Sequence, residues 1–87
     1  MQDLTITHAD FFFRAHWEPQ DERWVCDCPL FELIIHIDED SPSGIAYRLT
    51  RKDHDRVLTE WQVREIIQAI VQEAMQAVEE KPRRLTV

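Results

Sequence analysis

The sequence predicts an α+β fold: a four-stranded antiparallel β-meander over residues ~10–50, packed on one face by a single long C-terminal α-helix over residues ~59–80. Three observations carry this. Apolar residues alternate with period two in four runs between Phe11 and Leu49, polar turn clusters separate most of the runs, and from Thr59 onward the apolar spacing lengthens to three and four. At 87 residues the chain forms one domain, residues 1–87, near the size at which burial is only just sufficient.

The first run, "FFFRAHW", alternates through Phe11, Phe13, Ala15 and Trp17, and the second, "RWVCDC", through Trp24, Cys26 and Cys28. "EPQDE" between them is a turn cluster, so the two make a β-hairpin. With Pro19 to Glu22 as the loop, Glu18 faces Arg23, Trp17 faces Trp24, Ala15 faces Cys26, Arg14 faces Asp27 and Phe13 faces Cys28. This register gives two opposite-charge pairs and an aromatic pair. The third run, "FELIIHID", pairs with the fourth, "GIAYRLT", through Ile37 with Ile45, Ile35 with Tyr47 and Leu33 with Leu49, across the polar loop "DEDSPSG". The weak point is the turn at Pro29 and Leu30, because two-residue hairpins prefer positive φ and Leu disfavours it; a bulge or a corner is expected there.

The helix should start at the capping box "TEWQ" and end near Glu80, ahead of Pro82. Its apolar stripe is Val63, Ile67, Ile70, Ala74 and Ala77, flanked by Val71, Met75 and Val78. Four strands make a sheet roughly 19 Å wide, whereas one helix covers about 10 Å. The uncovered part of the face is expected to lie under the N-terminal segment with Leu4 and Ile6, or against a second subunit or a partner.

No run approaches the ~20 apolar residues that cross a bilayer, and "MQDLTITHAD" lacks the basic flank and apolar stretch of a signal peptide, so the expected location is cytoplasmic. The two cysteines, Cys26 and Cys28, are then expected to be free, with sulfurs in the core. A zinc site would need two further ligands, for which His8 and His54 are the candidates. His16 and His36 point away from the sulfurs in the expected register. "DEDS" lacks the spacing and internal glycine of an EF-hand loop, and "RKDHDR", Arg51 to Arg56, reads as a solvated turn before the helix. With no acid and base pair, phosphate loop or nucleophile elbow in view, neither an enzyme nor a cofactor is expected.

Net charge is −7, and it is uneven: residues 1–42 hold ten Asp and Glu against Arg14 and Arg23, a balance of −8, while residues 43–87 balance at +1. Such a distribution disfavours direct nucleic-acid binding and suits a basic protein partner. The expected outer face of the sheet has three rows: His16, Val25, Ile34, Arg48; Arg14, Asp27, Glu32, Thr50; and Glu18, Arg23, His36, Ala46.

The hairpin around "RWVCDCP" resembles the strand pair of HicB-type antitoxins over less than a third of the chain, with no residue role carried over. In type, as a small acidic domain without an active site, the chain resembles phage-encoded inhibitors such as anti-CRISPR proteins. The expected function is that of a non-enzymatic binding protein inhibiting or regulating a larger basic or nucleic-acid-handling protein. The expected contact residues are Asp38, Glu39, Asp40, Glu32, Asp27, Val25, Ile34 and Trp61. A homodimeric assembly or antitoxin-like module, and a small Cys/His metalloprotein, are the alternatives.

Overall fold

The computed structural model describes residues 1–8, 10–52 and 58–80. It has an antiparallel sheet and one C-terminal helix, as the periodicity predicts, but the sheet has five strands rather than four. These are β1 (Leu4–His8), β2 (Phe11–Glu18), β3 (Arg23–Asp27), β4 (Phe31–Ile37) and β5 (Ile45–Arg51), in the order β1-β2-β3-β4-β5, followed by α1 (Glu60–Glu80).

The added strand is "LTITH", for which packing over the uncovered sheet face is one of the two alternatives given above. Leu4 pairs with Ala15, Ile6 with Phe13 and His8 with Phe11, so the segment extends the sheet edge instead. Three consecutive β-branched residues, Thr5, Ile6 and Thr7, favour this extended form. Beyond the last ladder pair toward the N-terminus, Trp17 N–H donates to the Asp3 carboxylate at 2.9 Å, which substitutes for a strand carbonyl.

Most of the predicted register holds. Glu18 faces Arg23, Trp17 faces Trp24, and Ile37, Ile35 and Leu33 face Ile45, Tyr47 and Leu49. The two indoles lie 4.7 Å apart between ring centroids. The β2–β3 ladder, however, runs only from Glu18–Arg23 to His16–Val25, so the expected pairs Ala15–Cys26, Arg14–Asp27 and Phe13–Cys28 are not part of it. β1 pairs with β2 on the side opposite β3, and the charges of the unformed pairs find other partners: Arg14 Nε lies 3.8 Å from Asp3, and Asp27 binds Lys52. Stacking of Phe13 on Phe31, with centroids 5.4 Å apart, bridges β2 directly to β4 where the ladder stops.

The Pro29–Leu30 turn stays a two-residue connection, with Asp27 facing Glu32 and Cys28 N–H donating to Phe31 O at 3.0 Å. Leu30 avoids strain because its φ is not positive; among the described residues only Glu22 (51°) and Gly44 (82°) are in that region. A Cβ added at Gly44 would meet Val78 Cγ1 at 3.4 Å, an ordinary contact, so it is the positive φ that favours glycine there.

Two terminal bonds, Asp38 N–H to Gly44 O and Lys52 N–H to Leu30 O, fix the phase of the β4–β5 ladder. By alternation, Ala46, Arg48 and Thr50 direct their backbone groups to β4, and Ile45, Tyr47 and Leu49 direct theirs to the open edge.

The capping box forms as read: Gln62 N–H donates to Thr59 Oγ1 at 3.1 Å, and Thr59 N–H to Gln62 Oε1 at 2.9 Å. The helix packs mainly on β1 at one edge and on β4 and β5 at the other, so the sheet curls around it. Trp24, Phe31, Leu33, Ile35, Leu58, Ile66 and Ile70 are buried at this junction with Cys26 and Ala74.

Replacing Ile66 by Ala should lower unfolding free energy by about 2–5 kcal/mol in denaturant melts, the usual range for a buried Ile. Thr59→Ala should lower it by about 1 kcal/mol and leave the denaturant slope unchanged, since only a cap is lost.

Candidate interaction surfaces

In an antiparallel meander, alternate loops fall at the same end of the sheet. The β2–β3 turn and the β4–β5 loop share one end, and Ile37 N–H donating to Glu22 O at 3.2 Å ties them together. The helix runs back antiparallel to β5: Arg51 Nη2 donates to Leu58 O at 3.1 Å near its start, and Gly44 approaches Val78 near its end. The shared end therefore gathers Asp21, Glu22, Asp38, Glu39, Asp40 and Glu79. Arg23 is the cation beside them, bonded through Nε to Glu18 at 2.7 Å and 3.7 Å from Asp21, and these acids raise its pKa, the Glu18 hydrogen bond most.

Within this end, Asp38, Glu39 and Asp40 lie together as expected. Asp38 Oδ1 accepts the Asp40 N–H at 3.0 Å, and Ser41 N–H donates to Asp38 O at 3.1 Å, so the loop is internally braced. Asp21, Glu22 and Glu79 were missed from the sequence because they are distant in the chain. Counting loops along the meander would have found the first two.

Asp27 and Glu32 face each other near the opposite end of the sheet. Lys52 binds Asp27, and its own pKa is raised chiefly by that bond. These two acids are thus separate from the acidic end. Trp61 is 65% exposed in the first turn of a helix of 21 residues, about 30 Å long, and so sits at the far end from Asp38 to Asp40.

The three outer rows form as predicted, except that Arg14 is replaced beside Asp27 by Lys52. Arg14, Arg23 and Arg48 balance Glu18, Asp27 and Glu32, so this face is mixed rather than acidic. Val25 is half-buried and Ile34 only 9% exposed, so little of either side chain reaches solvent on this face. The exposed apolar group on this side is Phe12, at 64%, whose position between Phe11 and Phe13 already gave it outward parity. On the inner side Tyr47 is unexpectedly 52% exposed, because the helix does not cover the outer part of β5.

Both cysteines are free; Cys26 is buried, and Cys28, half-buried, donates through Sγ to Phe31 O at 3.4 Å. Burial, reinforced by Cys28 and Asp27, pushes the Cys26 thiol up to about 11. Among the described residues no group of three or more His, Cys, Asp or Glu is placed to hold a metal ion. His8 lies 3.6 Å from Glu65, and His54 and most of "RKDHDR" lie outside the described residues. No described helix is long and apolar enough to cross a membrane.

The Asp3 carboxylate is the other polar focus, with the Trp17 N–H, His16 Nδ1 at 3.2 Å and Arg14 around it. The Trp17 hydrogen bond, more than either side chain, holds its pKa below the ordinary value. It fastens the start of β1 to β2.

No family model matches the chain, and no curated protein or solved structure matches it.

Cys26 supplies a pH test. Its raised pKa means the folded state holds the proton more tightly than the unfolded chain, so this contribution to stability is full below the ordinary value of 9.0 and is lost as pH rises toward about 11. Melting temperature should fall across that window, and Cys26→Ala should flatten the fall. At pH 8 a thiol reagent should label Cys28 readily and Cys26 about 100-fold more slowly than after denaturation.

Proposed function

We propose that the protein is a non-enzymatic binding protein that engages a larger basic protein through the acidic end of its sheet, inhibiting or regulating it. The observation that supports this is the convergence of Asp21, Glu22, Asp38, Glu39, Asp40 and Glu79 at one end, which turns the −8 balance of residues 1–42 into a local field. A partner that itself handles nucleic acid has a suitable basic surface, and negative charge of this kind speeds encounter more than it strengthens the final contact. Direct contact with nucleic acid is disfavoured by the same field.

The geometry also ranks the expected contact residues. Asp38, Glu39 and Asp40 make the first contact in this reading. Asp27, Glu32, Val25 and Ile34 belong to the mixed outer face and would be reached only by a partner that wraps the sheet. Trp61 would anchor a different surface.

The test is capture from the native host with tagged wild-type protein, then kinetics with the captured partner. The triple variant Asp38→Lys, Glu39→Lys, Asp40→Lys should reduce the association rate by at least ~10-fold, and raising salt to about 0.5 M should reduce the wild-type rate similarly. Association unchanged by both charge reversal and salt would overturn the electrostatic reading. Asp27→Asn is the control at the far end and should change the rate by less than ~2-fold.

A further inference from the structure

β5 combines three features at one edge. Ile45, Tyr47 and Leu49 turn their backbone groups outward, and the Ile45 carbonyl already accepts the Ser43 hydroxyl at 3.1 Å rather than a strand donor. Tyr47 points to the core side yet is half in solvent, and Leu49 beside it is only half-buried. On α1, Val78 approaches Gly44 at the start of β5, and Val71 and Met75, which share its side of the helix by spacing, are likewise half-buried, so the helix turns an incompletely covered apolar side toward this edge. β1, the other edge, has the helix packed more closely onto it.

The charges say which strand would fit. β5 carries Arg48 and Arg51 and no acid, while the loop leading into it carries Asp38, Glu39 and Asp40. A second copy added antiparallel about a two-fold axis brings each cationic half-strand toward the other copy's acidic loop. Centring the axis on Tyr47 sets Tyr47 against Tyr47, Ile45 against Leu49, Ala46 against Arg48 and Ser43 against Arg51, and no like charges face each other. Outward-turned backbone groups then meet outward-turned groups. Centring on Arg48 would oppose the two arginines, which is unfavourable.

We infer that two copies of this chain pair through β5, antiparallel and centred on Tyr47, to form one continuous ten-stranded sheet with the Val71, Met75 and Val78 sides of the two helices flanking the axis. This inference draws on the same Asp38 to Asp40 loop as the function proposed above, but it is measured on the protein alone, so failure of the dimer and failure of the foreign-partner reading are distinguishable.

The experiment is sedimentation velocity from about 1 to 200 µM, a range suited to a micromolar dimer. Wild type should sediment as a dimer at the upper concentrations, more weakly at high salt. Tyr47→Pro removes an N–H that the β4–β5 ladder does not use, so it should remain folded by circular dichroism and become monomeric. Tyr47→Lys, which places two cations at the axis, should weaken the dimer at least ~10-fold and serves if the proline variant does not fold. Thr5→Pro, on the β1 edge, should leave the dimer intact. A wild-type monomer throughout overturns the inference. So does a dimer that survives both Tyr47 substitutions, or one that only Thr5→Pro disrupts.

Discussion

The apolar stripe of α1 has to keep dry a sheet wider than itself. Five strands at the usual spacing span about 24 Å, and a helix covers about 10 Å. The sheet responds by curling, so that β1 at one edge and β4 and β5 at the other both reach the helix. The large side chains Trp24, Phe31, Leu33 and Ile35 are fully enclosed as a result. Burying each contributes about 1.5–3 kcal/mol or more, which for a chain of this size is a large part of net stability. Curling has a limit, and Tyr47 on the last strand lies beyond it. The fold's main packing solution and its main exposed apolar edge thus have the same origin.

Polar groups are accommodated around that core without being buried inside it. No buried polar or charged residue occurs among the described residues, and no buried side-chain nitrogen or oxygen lacks a partner. The ends of the ladders are closed by side chains where strands run out. Asp3 takes the Trp17 N–H, Gln2 O accepts the Trp24 indole N–H at 3.1 Å, and Thr59 with Gln62 closes the helix start. The N-terminal residues are therefore part of the structure, joining β1 to the centre of the sheet through Trp17 and Trp24. Ion pairs such as Arg23 with Glu18, or Lys52 with Asp27, are solvent-exposed and contribute mainly to local geometry.

Surface charge follows from topology. A meander with a returning helix puts every second connection at the same end, so acids dispersed over almost sixty positions, from Asp21 to Glu79, gather at one end of the fold. The outer face, which the composition alone would make acidic, is nearly neutral because Arg14, Arg23 and Arg48 are interleaved with Glu18, Asp27 and Glu32. The acidic character of the N-terminal half is therefore a property of the turns more than of the strands, since strand positions facing solvent favour cross-strand pairs of opposite sign.

By itself the sequence determined what depends on short-range periodicity and local hydrogen bonding. The alternation in β2 to β5, the pairs Trp17–Trp24 and Ile35–Tyr47, the capping box at Thr59, the helix stripe and the inward placement of Cys26 were all legible, because a pleat of period two and a helix of period 3.6 leave little choice of face. Of the expected contact residues, the Asp38 to Asp40 loop was legible as a unit for the same reason. Tertiary structure decided the rest. It made "LTITH" a strand because β2 had an open side to pair with, and it ended the β2–β3 ladder at Val25 where Phe13 stacks on Phe31. It also enclosed Ile34, exposed Tyr47, and separated Trp61 and Asp27 from the acidic loop. Each of these depends on how far a curled sheet reaches around one helix and on which loops share an end, and such long-range distances are not encoded in any local pattern of residues.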